Sequence, residues 1–292
     1  MNKDFNKGLL LTSLGSFWWG FIGVLYFQYV SFIGHIELVV HRCLWTAVML
    51  FLTTSFLSKW NIFFKIFSNK KIVFYLFISG FLIFINWAIW IYAVATERII
   101  DASFGYFIMP IISVLLGKIF FNEYLNKKRI FSIFLVLISI LILIFFNLKS
   151  LPWVGIVVAL SWAFYNLVRK KVNVDTDIGL LIESLFIFPF ALIVFYFIAK
   201  NNLNDFSLSN PKLSLFLILA GPMTVIPLFL YVRGVELIGL GPTGMIFYIT
   251  PTLQFILGYF YYNEDFSLVK FISFIIIWIA VLIYLKDLYE TN

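Results

Sequence analysis

Charge is what this chain has least of. Asp, Glu, Lys and Arg make up 12% of its 292 residues, where a soluble globular domain carries about 25%. A folded soluble protein cannot present so uncharged a surface, because surface area grows too slowly with size to be hidden in one core. A single cysteine, Cys43, excludes an intramolecular disulfide. Two histidines, His35 and His41, without a second cysteine, provide no zinc set. Neither a metal nor a cofactor is therefore expected. The 14 acidic residues are scattered, which argues against a membrane-embedded lipid transferase, since that chemistry needs clustered carboxylates. No glycine-rich phosphate loop is present, which argues against ATP coupling within the chain. No nucleophile, base and acid occur together, so the chain is not expected to be an enzyme.

What it has instead is apolar length. Hydrophobic residues make up 63% of the chain, and they fall into runs of about the 20 residues that cross a bilayer. Hydropathy predicts ten spans, near 8–29, 36–57, 72–94, 101–121, 129–146, 152–170, 178–199, 213–232, 240–261 and 268–286. The run after Lys7 shows no small-residue cleavage site and reads as the first span. The net charge of +7 would point to nucleic acid in a soluble protein. Here it follows from the positive-inside bias, and no nucleic-acid partner is expected. Fourteen of the 21 Lys and Arg fall in the N-terminal segment and every second connection after it, and five in the others. That asymmetry places both termini in the cytoplasm. The NKK, KKR and RKK clusters read as interfacial anchors and, second, as contacts to lipid phosphates.

The chain also repeats itself. Pro110, Gly117 and Glu123 recur 141 residues later as Pro251, Gly258 and Glu264. At the same offset Ser68-Asn69 meets Ser209-Asn210, and Gly80 meets Gly221. Each half, 1–147 and 148–292, holds five spans, and an odd number inverts the second half relative to the first. The expected fold is an all-α membrane protein of two inverted five-helix repeats around a central cavity, the architecture of alternating access.

Particular motifs carry a family resemblance. They are Asn86-Trp87 with Ala93-Val94, the run Ala102 to Pro110, His41-Arg42, Tyr165 to Lys171, Leu181-Ile182-Glu183, and Tyr248 to Leu253. Together they resemble the RarD-type branch of the EamA family, in the drug/metabolite transporter superfamily, from about Gly8 to Lys286. The resemblance implies ten helices around a central cavity and secondary transport in a bacterial inner membrane. Members are linked to chloramphenicol sensitivity and to small metabolites. Asn166 departs from the pattern, which implies a glycine there, as at Gly20.

Candidate site residues follow from polarity inside apolar spans. Arg42 lies within the second span, and Glu183 holds the equivalent place in the seventh. A charge there must pair, snorkel or face a cavity. Arg42 is read as a ligand for a substrate carboxylate or an outer gate, and Glu183 as an inner gate or proton relay, against snorkelling of both. Their opposite depths keep them from pairing directly. His41 is read as a substrate or proton ligand against a structural hydrogen bond. Asn86 with Trp90, one turn on, is read as a polar and aromatic surface for a solute, against an interhelical hydrogen bond. Gln254 has the same two readings. Trp19, Tyr106, Tyr165, Asn166 and Tyr248 join the substrate set because they adjoin small residues, kinks or each other. Pro110 and Pro251 are read as kinks facing one cavity. Glu123 is expected to fix its own turn, and the loop Asn201 to Pro211 to be mobile.

The expected function is secondary transport of a small organic or drug-like solute, including an amino-acid-like one, with protons as a candidate coupling ion. A flippase for a lipid or lipid-linked solute is the alternative within the same fold. The expected partners are that solute and membrane lipids, in a monomer or homodimer.

Overall fold

The computed structural model describes residues 3–95, 99–147, 153–172, 174–261 and 268–291. Asn263 and Glu264, which close the second copy of the repeat, lie outside them, as do Arg98 and Lys149 of the charge count. Every regular element among the described residues is helical. Backbone groups in hydrocarbon have no water to bond, so each apolar run satisfies its own N–H and C=O groups as a helix.

The first span is α1 (Lys3–Phe17), a π-helical turn (Trp18–Gly23) and α2 (Val24–Tyr29). Then come α3 (His35–Phe56), a short amphipathic α4 (Trp60–Phe67), α5 (Lys70–Ala95), α6 (Ile99–Phe121) and α7 (Lys127–Asn147). The second half holds α8 (Trp153–Val172), α9 (Thr176–Lys200), α10 (Pro211–Ile238), α11 (Leu240–Ile246), α12 (Ile249–Phe260) and α13 (Leu268–Thr291). Among the described residues, seven helical stretches are long and apolar enough to cross a membrane. The remaining three expected spans differ for visible reasons. The described apolar part of α6 is short, Gly105–Phe121. Helix α8 ends in Arg169, Lys170 and Lys171, and the ninth segment is divided into α11 and α12. Helix α4 and the π-helical turn are not expected from hydropathy, because neither alters the length of an apolar run.

The two prolines of the repeat act differently. Pro110 sits inside the continuous helix α6. Pro251 sits in the first turn of α12, where an absent N–H leaves no bond unmade. The ninth segment breaks before it, at Phe247 and Tyr248. Tyr248 Oη donates to the Phe107 carbonyl at 2.7 Å, beside the turn that Pro110 interrupts. The two interrupted segments are thereby fastened to each other.

Packing runs between the halves more than within them. Helix α1 lies on α10, α5 on α8, α7 on α13, α3 on α9 and α10, and α6 on α8 and α11. The largest buried cluster joins Leu44, Trp87 and Met109 to Trp162, Leu181 and Tyr231. A second joins Val114 and Val136 to Met245 and Ile277. Neither half has a core of its own. Large side chains such as Phe145 and Leu282 are 79% and 68% exposed, which suits a lipid-facing surface and would be a liability in water.

Candidate functional site

Two glycines 141 residues apart build the centre. A Cβ on Gly221 would lie 2.5 Å from the Trp45 carbonyl oxygen, and one on Gly80 would lie 3.0 Å from that of Glu183. Only glycine allows α10 to meet α3, and α5 to meet α9, at that separation. A hydroxyl beside each glycine then reaches the charged residue opposite. Arg42 Nε donates to Thr224 Oγ1 at 2.9 Å, and Ser79 Oγ donates to Glu183 Oε1 at 2.5 Å. Equivalent positions of the two halves thus hold opposite charges, each met by a hydroxyl from the facing helix. Both are buried, so neither snorkels, and no ion pair joins them.

Around Glu183 the charges are knitted together. Arg169 Nη1 is 3.6 Å from Glu183 Oε1, and Arg169 Nη2 is 3.7 Å from Glu236 Oε1. The guanidinium occupies the space that a side chain on Gly179 would fill. Tyr165 Oη donates to Glu183 Oε2 at 3.3 Å. Thr176 Oγ1 donates to Glu236, and Arg233 pairs with the same carboxylate at 2.7 Å. Further out, Lys59 binds Asp177 at 2.7 Å, and that hydrogen bond holds the Lys59 ammonium above its ordinary value. Glu123 does not confine itself to its own turn. It accepts from the backbone N–H groups of Leu240 and Gly241 at 2.7 and 2.8 Å, capping α11 in the other half, where a carboxylate satisfies free helical donors. This basic end of the molecule is held together by charge.

The opposite end is held differently. Glu37, buried in the first turn of α3, accepts from the backbone of Asp205 and Phe206 at 2.9 and 3.0 Å. His41 Nδ1 accepts from Trp45 Nε1 at 3.1 Å, and His41 Nε2 faces Glu37 at 3.4 Å. Phe206 and Phe195 lie 4.9 and 5.3 Å from the imidazole. The loop expected to be mobile is therefore tied to α3. His41 belongs to that clasp, with its ring turned to the loop.

Between the ends stands a wall of aromatic rings. Trp19, placed by the π-helical turn, meets Trp162 at 5.0 Å and Tyr231 at 5.8 Å. Phe247, at the break of the ninth segment, meets Tyr231 at 5.5 Å and Tyr106 at 5.8 Å. Trp162 continues to Tyr165 at 5.6 Å. Contacts of this kind add about 0.5–1.5 kcal/mol each beyond their buried area. The wall therefore runs from Tyr106, near Arg42, to Tyr165, bonded to Glu183.

The structure brings together Trp19, Tyr106 and Tyr165 of the sequence candidates, with Arg42 and Glu183 at the two ends of the wall. Asn86 Nδ2 donates to the Val158 carbonyl at 2.9 Å and to Ser161 Oγ at 3.1 Å, the interhelical bond weighed against a solute contact. Trp90 packs on Phe27 at 5.6 Å. Asn166 Nδ2 bonds the Trp162 carbonyl one turn back at 2.9 Å, and its Oδ1 is buried without a partner. Gln254 is half-buried on α12. Tyr248 braces α6 as described, and Pro110 and Pro251, both buried, do not line the central void. That void lies between α3, α5, α9 and α10, against Cys43, Thr46, Trp87, Glu183 and Ser184, and has about 10 Å³ of free volume. One water needs roughly that much, so this void has no room for an organic solute. Sequence reasoning did not single out Arg169, Glu236, Thr224, Trp162, Tyr231 or Phe247. Arg169 read as part of a basic anchor. The pairing of Gly80 with Gly221 was the available signal for Ser79 and Thr224.

The EamA-like transporter family matches the chain twice, over residues 6–145 and 150–286. Protein RarD of Escherichia coli K12 is 32% identical over 290 residues, covering 99% of this chain and 97% of that protein. An uncharacterized transporter of Vibrio cholerae is 34% identical, covering 98% and 94%. The uncharacterized transporter YojE of Bacillus subtilis is 31% identical, covering 97% and 95%. A solved structure, described only as a crystal structure of a protein, superposes with a TM-score of 0.71 at 13% identity, over 95% of this chain and 96% of that one. That likeness is one of fold. The chain is a multi-pass membrane protein of the EamA-like transporter family, in its RarD-type branch.

Proposed function

We propose that the chain is a secondary transporter that moves a small organic solute across a bacterial inner membrane by alternating access. In this reading residues 1–147 and 148–292 form two inverted halves of five spans, with both termini cytoplasmic. Helix α6, helix α8 and the pair α11–α12 supply the fourth, sixth and ninth spans. The basic end is then the cytoplasmic gate and the clasp on Glu37 the outer one. The two halves rock about the aromatic wall, and the solute enters between Arg42 and Glu183 when one gate opens. The observation that carries this is the placement of Arg42 and Glu183. They correspond at the 141-residue offset, both are buried, and a run of ring contacts from Tyr106 to Tyr165 lies between them.

A closed centre between two dissimilar gates is what an occluded conformation needs. Protons are candidates to couple the cycle through Glu183, whose carboxylate must exchange partners if Arg169 withdraws. Reconstituted protein is expected to accumulate a solute in proteoliposomes with its gradient, and to respond to an imposed pH gradient if protons couple. Failure of every carboxylate, amine, amino acid and drug tested to move faster than through empty liposomes would overturn the reading.

A further inference from the structure

Three arginines are buried among the described residues, and two have carboxylates. Arg129 Nε meets Asp287 at 2.8 Å, and Arg169 meets Glu183 and Glu236. Arg42 has none in ion-pair range. Its one protein hydrogen bond is from Nε to Thr224. The faces of its guanidinium are occupied, with Cζ 4.6 Å from the Trp87 ring and 5.1 Å from the Phe27 ring. Rings satisfy the face of a guanidinium and leave its edge N–H groups free. Arg169 Nη1 is sealed from any void without a hydrogen bond. The two terminal nitrogens of Arg42 are not sealed in that way, and no hydrogen bond engages them.

An intramembrane cation held by its face and open at its edge lacks an anion. Two parallel N–H groups at a fixed spacing fit a carboxylate, which takes both at once. Tyr106 lies within electrostatic range of Arg42, and its ring leads to Phe247 at 5.8 Å and so to the aromatic wall. Tyr26, the other phenol nearby, is committed to the Phe216 carbonyl at 2.8 Å. A solute with its charged group on Arg42 therefore lays its remaining atoms against rings. A positive group there would meet the unneutralised guanidinium.

We propose that this protein carries organic monocarboxylates, with Arg42 as the ligand of the carboxylate and the Tyr106–Phe247 rings as the seat of an apolar or aromatic body. This rests on the transporter reading for its cycle but not for the binding itself. The test uses purified full-length protein and the probes benzoate, phenylacetate and hexanoate. Each is paired with its neutral amide, and sodium chloride and phosphate are measured alone. Binding is read by tryptophan fluorescence and thermal stabilisation, and flux by proteoliposome uptake.

The acids are expected to bind at least about tenfold more tightly than their amides. Arg42→Gln is expected to abolish that ratio, with Arg42→Lys retaining part of it. Circular dichroism and thermal melts report whether Arg42→Gln is folded, and Arg42→Lys carries the test should Arg42→Gln be poorly expressed. Equal binding of acid and amide, binding of chloride or phosphate alone, or no saturable acid binding overturns the proposal. Acid binding that depends on Arg42 without gradient-driven flux would leave the anion site standing and remove the transporter reading instead.

Discussion

Arg42 and Glu183 occupy the same place in the two halves, and their surroundings could hardly differ more. Glu183 sits in a network of Ser79, Tyr165 and Arg169 that reaches Glu236, Thr176 and Arg233. Arg42 has one hydroxyl and two rings. Residues equivalent to the network are absent at the other end: Gln28 stands where Arg169 would be, and Ala95 where Glu236 would be. The two positions correspond at the 141-residue offset, and the side chains around them make one an ionic cluster and the other a cation with a single hydroxyl. In the proposed cycle the first holds the protein shut and the second receives the solute.

The largest test of that difference is Arg169→Leu. It strands Glu183 and Glu236 without their buried partner, and removing one member of a buried pair costs about 3–5 kcal/mol. A matched Arg169→Leu, Glu183→Gln change should recover part of the loss in thermal melts of the purified protein. Melting of the single variant with the wild type would mean that the lock contributes nothing.

Arg42→Leu is expected to behave in the opposite way. It removes a charge that no carboxylate compensates, so stability should hold or rise, while acid binding is lost. A destabilisation as large as that of Arg169→Leu would erase the contrast between the two sites.

Next in size is the hydroxyl comparison. Ser79→Ala removes a hydrogen bond to a charged group and should cost about 1.5–3 kcal/mol. Thr224→Val should cost less, because the rings still hold the guanidinium, a contribution of about 0.5–2 kcal/mol that stays in place. Equal losses would show that the two hydroxyls do the same job.

The smallest effect belongs to Lys59→Met at the rim. A partly exposed pair of this kind is worth about 0–1 kcal/mol. Asp177 raises the folded-state value of Lys59 above its ordinary 10.5. The stabilisation is therefore full below that ordinary value and lost as pH rises through the raised one. Melts of wild type and variant should converge at strongly alkaline pH. A gap that widens there would contradict the pairing.

Much of the fold was legible. Apolar runs announce helices in a bilayer because nothing else satisfies the backbone there, and the observed helix limits lie within a few residues of most predicted spans. The site was legible in part. Arg42, Glu183, Trp19, Tyr106 and Tyr165 were visible as polar or aromatic residues beside small ones. Arg169 was not, because a basic cluster at a helix end reads as an anchor until Gly179 lets the guanidinium turn inward. His41 and Asn86 were visible, but the 205–206 backbone that Glu37 holds beside His41, and Val158 with Ser161 beside Asn86, come from distant parts of the chain.

Composition and the 141-residue echo by themselves determined a helical membrane protein with two related halves, since both follow from the cost of exposing backbone in lipid and from duplicated sequence. Tertiary structure alone decided which of two equivalent buried charges is neutralised. That choice depends on what helix packing sets against each position, from the other half at Ser79 and Thr224 and from the same half at Arg169. Gly221 and Thr224 face Arg42 with a single hydroxyl, while Gly80, Ser79 and the Arg169 guanidinium against Gly179 close on Glu183. No local pattern encodes such contacts, whether between helices more than a hundred residues apart, as for Arg42 with Thr224, or between neighbouring helices, as for Arg169 with Glu183.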